Sequence, residues 1–341
     1  MIQQDSPIVQ KFIKQNWKKS LKDAFYKPED LLRFLEININ QVQISQIAQK
    51  QFKMIVPKSF ANRIEKGNLN DPLLKQVLPI LDEEIIDKNY INDPLDEQTY
   101  NKIPGLLHKY HSRVLLIAHS ACAIHCRYCF RRVFNYKDNI PGKENWLKAF
   151  DYIKNDSSIE EVILSGGDPL LHDDKNLQFF IDHIKNIPHI KRLRIHSRIP
   201  VTLPERITPE LIKLLTNHHL DTILVIHANH PNEINDEIIQ ILKEVQKNNI
   251  LILNQSTLLK GINDNTKILH QLSTKLIQAS VLPYYIHLLD KVSGSCHFNV
   301  EIDQAKKILK ELSEISSGFM VPKLAQEMPG FPSKTWLGFM E

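Results

Sequence analysis

Residues 114–132 read VLLIAHSACAIHCRYCFRR, and the fold turns on how they are interpreted. The stretch opens as an apolar run over 114–118, then breaks into a loop carrying Cys122, Cys126 and Cys129. The spacing is C-x3-C-x2-C, three thiols within eight residues, too dense for chance core packing. Thiolates so placed can hold one metal centre. A 4Fe–4S cubane held by three cysteines keeps one iron open for a small molecule. The same open position separates catalytic metal sites from closed structural ones. Two other readings compete: a zinc site completed by His125 or Cys296, and three unrelated thiols. Zinc sites usually pair their ligands as two C-x2-C knuckles, and no second knuckle occurs here. A cysteine loop directly after a strand favours the cluster.

The 341 residues suffice for one large domain or a domain with an extension, and 42% apolar with 24% charged residues is ordinary for a globular chain. Forty-three basic and 39 acidic side chains leave +4, too balanced to argue for direct nucleic-acid binding. Four cysteines, three of them in one loop, do not resemble a disulfide framework and fit a reducing compartment. The stretch MIQQDSPIVQKFIKQ lacks the apolar core of a signal peptide. No run approaches the roughly 20 apolar residues of a membrane span. A cytoplasmic protein without a membrane partner is the expectation.

Residues 1–104 are expected to form a helical extension. Apolar residues recur at helical spacing over 8–22 and 28–39, with Pro28 near a helix start. Pro57, Pro72 and Pro79 punctuate the following part. Over 105–341 the pattern changes. Short β-rich runs fall at 114–118, 161–164, 192–195, 222–227, 250–254 and 282–288, with a further strand at 318–324. Helical stretches lie between them, at 144–155, 176–186, 209–217, 233–248 and 266–278. Such alternation implies parallel βαβ units in an α/β fold. Six units with right-handed crossovers predict a partial (βα)6 barrel rather than a closed eight-unit one. Working residues in such folds gather at the carboxyl ends of the strands. There the sequence places the cysteine loop, Ser165-Gly166-Gly167-Asp168, His196-Ser197-Arg198, His227 with Asn229 and His230, Gln255-Ser256, and Asp290-Lys291. His125, His218 and His219 are left without a role.

The cysteine loop after a first barrel strand resembles the radical S-adenosylmethionine (SAM) superfamily. The resemblance implies a 4Fe–4S cluster on Cys122, Cys126 and Cys129 whose open iron is chelated by SAM. Reductive cleavage of SAM then releases a 5′-deoxyadenosyl radical. Tyr128 matches the aromatic position near the adenine. Ser165, Gly166, Gly167 and Asp168 look like the Gly-Gly-acid motif that contacts the methionyl amino group, and His227 and Gln255 match residues near SAM. Further runs narrow the family: LLHKYHSRVLL at 106–116, RLRIHSRIPVTLPERI at 192–207, HANHPNE at 227–233, NQSTLLKGIND at 254–264 and PYYIHLLDKVSGSCHF at 283–298. As an ordered set, from about Pro72 to Thr335, they resemble the lysine 2,3-aminomutase family.

That family also uses pyridoxal phosphate (PLP), held by a Schiff-base lysine after a glycine-rich turn. PGFPSKT at 329–335 occupies that place, so the resemblance assigns Lys334, although the family's glycine run is longer. From the residues alone, a lysine on a Pro/Gly loop is usually just solvated. Lys323 competes, at the end of the seventh strand, but does not match the motif. Tyr110 and Arg113 match residues that stack on the pyridoxal ring and hold its phosphate, with Lys109 in place of an arginine. A basic and aromatic cluster suits a phosphorylated planar ring. Arg131 matches the arginine that pairs with the substrate carboxylate, a task for a guanidinium fork. Asp290 and Glu327 match the two carboxylates on the distal ammonium, with glutamate replacing the commoner aspartate at 327.

The implied reaction converts L-lysine to (R)-β-lysine by radical 2,3-amino migration, with a flavodoxin- or ferredoxin-type reductant supplying the electron. The chain ends seven residues after Lys334, without the cysteine-bearing tail of the longer fermentative enzymes. This matches the short bacterial form, expected as a monomer or homodimer, which feeds a β-lysine ligase pathway that modifies elongation factor P. Three alternatives compete. One is a related PLP-dependent aminomutase on another amino acid. A second is a radical SAM enzyme on RNA or protein, against which the balanced charge and Lys334 speak. The third is a non-enzymatic zinc or cluster module, which leaves the ring of strand-end side chains unexplained.

Overall fold

The computed structural model describes residues 16–139 and 142–338. Five short helices come first: α1 (Trp17–Lys22), α2 (Pro28–Phe34), α3 (Gln46–Gln51), α4 (Lys58–Ala61) and α5 (Pro72–Lys75). The first part of the helix expected over 8–22 lies outside the described residues. Pro28 sits at the first position of α2, where its missing N–H costs nothing. That helix stops at Phe34 rather than 39, and Glu36 turns the chain with φ 59°. These helices enclose their own apolar cluster, including Leu31, Leu35, Met54, Phe60 and Leu73. Ile124 from the cysteine loop completes it, with Cys126 packed alongside.

Ten strands follow in one sheet, ordered as in the chain. Its centre is parallel: β3 (Arg113–His119), β4 (Glu161–Gly166), β5 (Arg192–Ser197), β6 (Asp221–Ile226), β7 (Leu251–Thr257), β8 (Leu282–His287) and β9 (Lys323–Gln326). The crossovers carry α6 (Lys143–Asn155), α7 (Asp174–Lys185), α8 (Pro209–Thr216), α9 (Asp236–Lys247), α10 (Thr266–Gln278) and α11 (Ile302–Ile315). This is the expected run of six strand–helix units plus a seventh strand. Gly318–Met320 forms a 3-10 turn, so that strand starts later than expected, at Lys323. Helix α11 was not anticipated, although it buries Ala305, Ile308, Leu309 and Leu312 at helical spacing.

Two antiparallel additions were also not anticipated. A hairpin of β1 (Asn101–Ile103) and β2 (Leu106–Tyr110) joins β3, and β10 (Thr335–Trp336) turns back on β9. Among the described residues β1 and β10 form the two rims of the sheet and do not pair, so the barrel stays open. The division expected at 104/105 falls in the β1–β2 turn, where Gly105 has φ 87°.

The period-2 alternation of strands decides which side chains meet the interior. On β5, Leu193 and Ile195 pack into the helix-facing core, whereas Arg192, Arg194 and His196 face the barrel cavity. The helical layer is clamped to the barrel by ions. Glu83 accepts from Arg127 Nε at 2.8 Å, Arg127 Nη2 at 2.7 Å and Arg132 Nη2. Two cations on one anion leave donors over, and backbone carbonyls of Phe52, Ala48 and Gly294 take them. Among the described residues no helix is long and apolar enough to cross a membrane.

Candidate active site

The strand ends surround one cavity of ≈ 1450 Å³, lined by every site residue expected from the sequence. Cys122, Cys126 and Cys129 form one part of its wall. Burial first, and then the neighbouring thiols, push the Cys129 thiol up to about 11 and Cys122 well above its usual range. Those two thiols resist ionisation until a cation takes up their charge, which suits ligands of a positively charged metal centre. Cys126 Sγ already accepts from Arg198 Nη1 at 2.6 Å. The zinc alternatives do not join them. His125 stacks on Phe52, with ring centroids 4.5 Å apart, and its Nδ1 meets the Lys53 carbonyl. Cys296 lies 3.9 Å from the Ile85 carbonyl. Neither lines the cavity. Among the described residues no three His, Cys, Asp or Glu groups are placed to hold a single metal ion. A cubane does not need that closeness, because each cysteine binds its own iron.

The Gly-Gly-acid run packs against the cysteine loop. A Cβ on Gly166 would stand 2.8 Å from the His119 carbonyl, and one on Gly167 would collide with the Ala121 carbonyl. Gly167 N donates to His119 O at 2.6 Å, and Asp168 N to Ala121 O at 2.8 Å. The Asp168 carboxylate faces the next strand end. It accepts from Ser197 Oγ at 2.7 Å, Arg198 N at 2.8 Å, Leu170 N at 3.1 Å and Ile199 N at 3.2 Å. Burial nevertheless raises its carboxyl to about 6. Asp168 thus couples the cysteine loop to β5, and these bonds occupy its oxygens.

Beside the cysteines, Tyr128 Oη accepts from Asn229 Nδ2 at 2.6 Å and lies 3.3 Å from His227 Nε2. Burial, and then Arg198, hold His227 at about 4, so its imidazole is neutral. Gln255 lines the same wall from β7.

Lys334 enters the cavity from the segment between β9 and β10. Its Nζ is 3.3 Å from His287 Nε2 and 3.9 Å from Glu327 Oε2. Burial lowers its pKa against the pull of Glu327 and Asp290. Lys323, the competitor, is exposed, with Nζ 3.9 Å from the Trp336 ring centroid. Burial, and then Glu327, raise Asp290 to about 7. Burial would also raise Glu327, but Lys334 and Lys109 outweigh it and leave that carboxyl below its usual range. Lys109 donates to Glu327 Oε1 at 3.0 Å, so one expected phosphate ligand is paired with one expected ammonium ligand. Arg113 lies over the Tyr110 ring at 4.5 Å. Arg194 Nε and His196 Nε2 are buried without hydrogen-bond partners. Around a buried amine, unpaired polar atoms fit a polar, phosphorylated ring such as PLP.

Arg131 is not free. Glu97 takes its Nε at 2.8 Å and its Nη2 at 2.5 Å, while Nη1 lies 3.4 Å from Ser165 Oγ and 3.3 Å from Gly166 O.

With this geometry in view, the model of the radical SAM superfamily matches residues 116–272. The chain is 46% identical over 321 residues to an L-lysine 2,3-aminomutase of Haemophilus influenzae, covering 94% of this chain and 95% of that one. The chain belongs to the L-lysine 2,3-aminomutase family. A second relative of that description, from Escherichia coli, is 45% identical over 323 residues, with 94% of each chain covered. Among solved structures, a radical SAM methyltransferase from Sphaerobacter thermophilus overlaps 65% of this chain and 68% of that one, with TM-score 0.47 and 12% identity.

Within this aminomutase-family site, four contributors had no role assigned from the sequence: Glu97, Arg198, Arg194 and His287. Arg198 stood in the strand-end run after β5, and Arg194 and His287 lie inside motif runs, yet motif position alone names no partner. Glu97 had no signal at all, since it sits in an irregular segment and meets Arg131 only in the fold.

Proposed function

We propose that the protein catalyses the 2,3-amino migration of L-lysine, giving (R)-β-lysine. One observation carries this reading: the buried amine of Lys334 shares a cavity with the three cysteine thiols. When bound, a 4Fe–4S cluster with SAM supplies a hydrogen-abstracting radical, and PLP supplies a conjugated ring that spreads the unpaired electron. Cys122, Cys126 and Cys129 hold the cluster, and Tyr128, His227, Gln255 and the Ser165–Gly167 backbone face SAM. A neutral His227 can donate or accept there without adding charge beside the sulfonium. Lys334 holds PLP through its amine, and Tyr110 packs on the ring.

Arg113 and Lys109 are the cations for the phosphate. Lys109 is paired with Glu327 at 3.0 Å and would be available to the phosphate once a substrate ammonium took its place on that carboxylate. Arg131 offers Nη1 to the substrate carboxylate, because Glu97 occupies its other edge. Asp290 and Glu327 take the distal ammonium, which selects lysine over shorter or acidic amino acids.

The same reading makes the protein cytoplasmic, monomeric or homodimeric, and dependent on a flavodoxin- or ferredoxin-type donor. It also makes elongation factor P modification, through a β-lysine ligase, the consumer of its product. Anaerobic reconstitution with iron, sulfide and PLP, followed by L-lysine, SAM and reductant, tests the chemistry by chiral chromatography. β-Lysine from the wild type and none from Lys334→Ala is the expected result. SAM cleavage without β-lysine or PLP absorbance would overturn the reading.

A further inference from the structure

We propose that His287 is the proton acceptor through which Lys334 condenses with an aldehyde. The proposal rests on the reading of Lys334 as the lysine that binds PLP. His287 ends β8 on the cavity side, and its Nε2 stands 3.3 Å from Lys334 Nζ. That is slightly long for a hydrogen bond, as catalytic contacts commonly are before ligands bind.

The contact joins a group that must lose protons to one with a ring nitrogen to receive them. An amine attacks a carbonyl only when unprotonated, and burial already moves Lys334 in that direction. Burial, and then the charge of Lys334 itself, hold His287 neutral. The second of these causes disappears as Lys334 gives up its proton. Burial, the larger cause, remains, so the imidazole is only partly relieved and serves as a transient relay beside the amine.

The other groups around the pair are Glu327, Asp290, Tyr285, Arg194, His196 and His227. Glu327 is the rival base, with Oε2 3.9 Å from Lys334 Nζ. Its Oε1 carries Lys109 at 3.0 Å, and that cation stays when Lys334 is neutral. With one oxygen taken and the other farther from the amine than His287 Nε2, Glu327 is the less well placed acceptor. The titratable groups facing His287 besides Lys334 are His227 and His196, and burial holds both neutral.

The step balances without an oxidant or reductant. The Nζ lone pair forms the bond to the aldehyde carbon, and the carbonyl electron pair moves to oxygen. The two Nζ protons pass in turn through His287 Nε2 to that oxygen. It leaves as water while the C=N bond closes, and His287 ends as it began.

The test uses the full chain with PLP itself as probe. Stopped-flow absorbance gives the rate of C=N formation, and borohydride reduction with peptide mapping finds the lysine that reacted. Label on Lys334 is expected, with none there in Lys334→Ala. His287→Ala should slow the reaction roughly 100-fold, the usual size of one general base, without changing its final extent. Imidazole added to the solution should restore part of that rate, and should not do so for Glu327→Gln. Label on Lys334 at the wild-type rate in His287→Ala would overturn the relay alone. So would a slow variant that imidazole cannot rescue, which would mark a structural role. Label elsewhere, or none, would overturn the relay together with the reading of Lys334. His287→Gln serves if the alanine variant does not fold. If neither folds, an unchanged wild-type rate in deuterium oxide would overturn the relay, and a slowed one would support it.

Discussion

Arg131 and Glu97 satisfy each other inside the cavity, and the pair explains why a single substitution there should be costly. A buried ion pair adds little net stability, but removing one partner strands the other charge. Glu97→Ala should lower unfolding free energy by about 3–5 kcal/mol, measured by urea denaturation. The double change with Arg131→Leu should recover part of that loss. Asp290 gives a pH-dependent prediction. Burial, and then Glu327, raise its carboxyl from the ordinary 3.8 to about 7. Only the ionised form attracts an ammonium, so the KM for L-lysine should fall as pH rises through about 7. Asp290→Asn should flatten that profile. For stability the sign is opposite. A raised carboxyl contributes fully below its unfolded value, and the contribution is lost as pH rises through its folded one. The ligand-free protein should therefore lose stability between about pH 4 and 7, and Asp290→Asn should lose less. At this scale the sequence located the cavity wall but not the pairings. Glu97 and Arg131 are 34 positions apart, and neither periodicity nor motif spacing joins them.

The loop between β4 and α7 shows what an element can demand of its residues. Gly166 has φ 113°, a conformation that L side chains rarely adopt, and Gly167 touches the Ala121 backbone. At Gly167 every close neighbour is backbone, which cannot swing away. Gly167→Ala should cost about 1–3 kcal/mol as overpacking and displace the cysteine loop. A lower thermal midpoint and less iron bound after reconstitution would check this. The parallel strands and most crossover helices were legible because their apolar periods are long and uninterrupted. The hairpin β1–β2 and strand β10 were not, being three, five and two residues long. Such stubs carry too few alternations to stand out, and their pairing is decided by the neighbouring strand. Helix α2 was read too long because the turn at Glu36 depends on a positive φ that its side chain does not advertise.

Across the whole molecule, the cysteine loop belongs to two packing units at once. Ile124 fills the helical layer's core, while Ala123 joins the barrel's core. Arg127 and Arg132 reach from the same loop to Glu83. Glu83→Gln leaves two buried guanidinium groups without an anion. It should expose the first hundred residues to limited proteolysis before the barrel is cut, and reconstituting the cluster should slow that cleavage.

The two rims of the sheet have a different consequence. Among the described residues they are β1 and β10, three and two residues long. Edges this short offer an incoming chain almost no unpaired backbone to template upon. An open barrel is thereby kept from growing sideways. Copies of the folded protein should not polymerise strand to strand, and any lasting association must be made by its helix faces and loops.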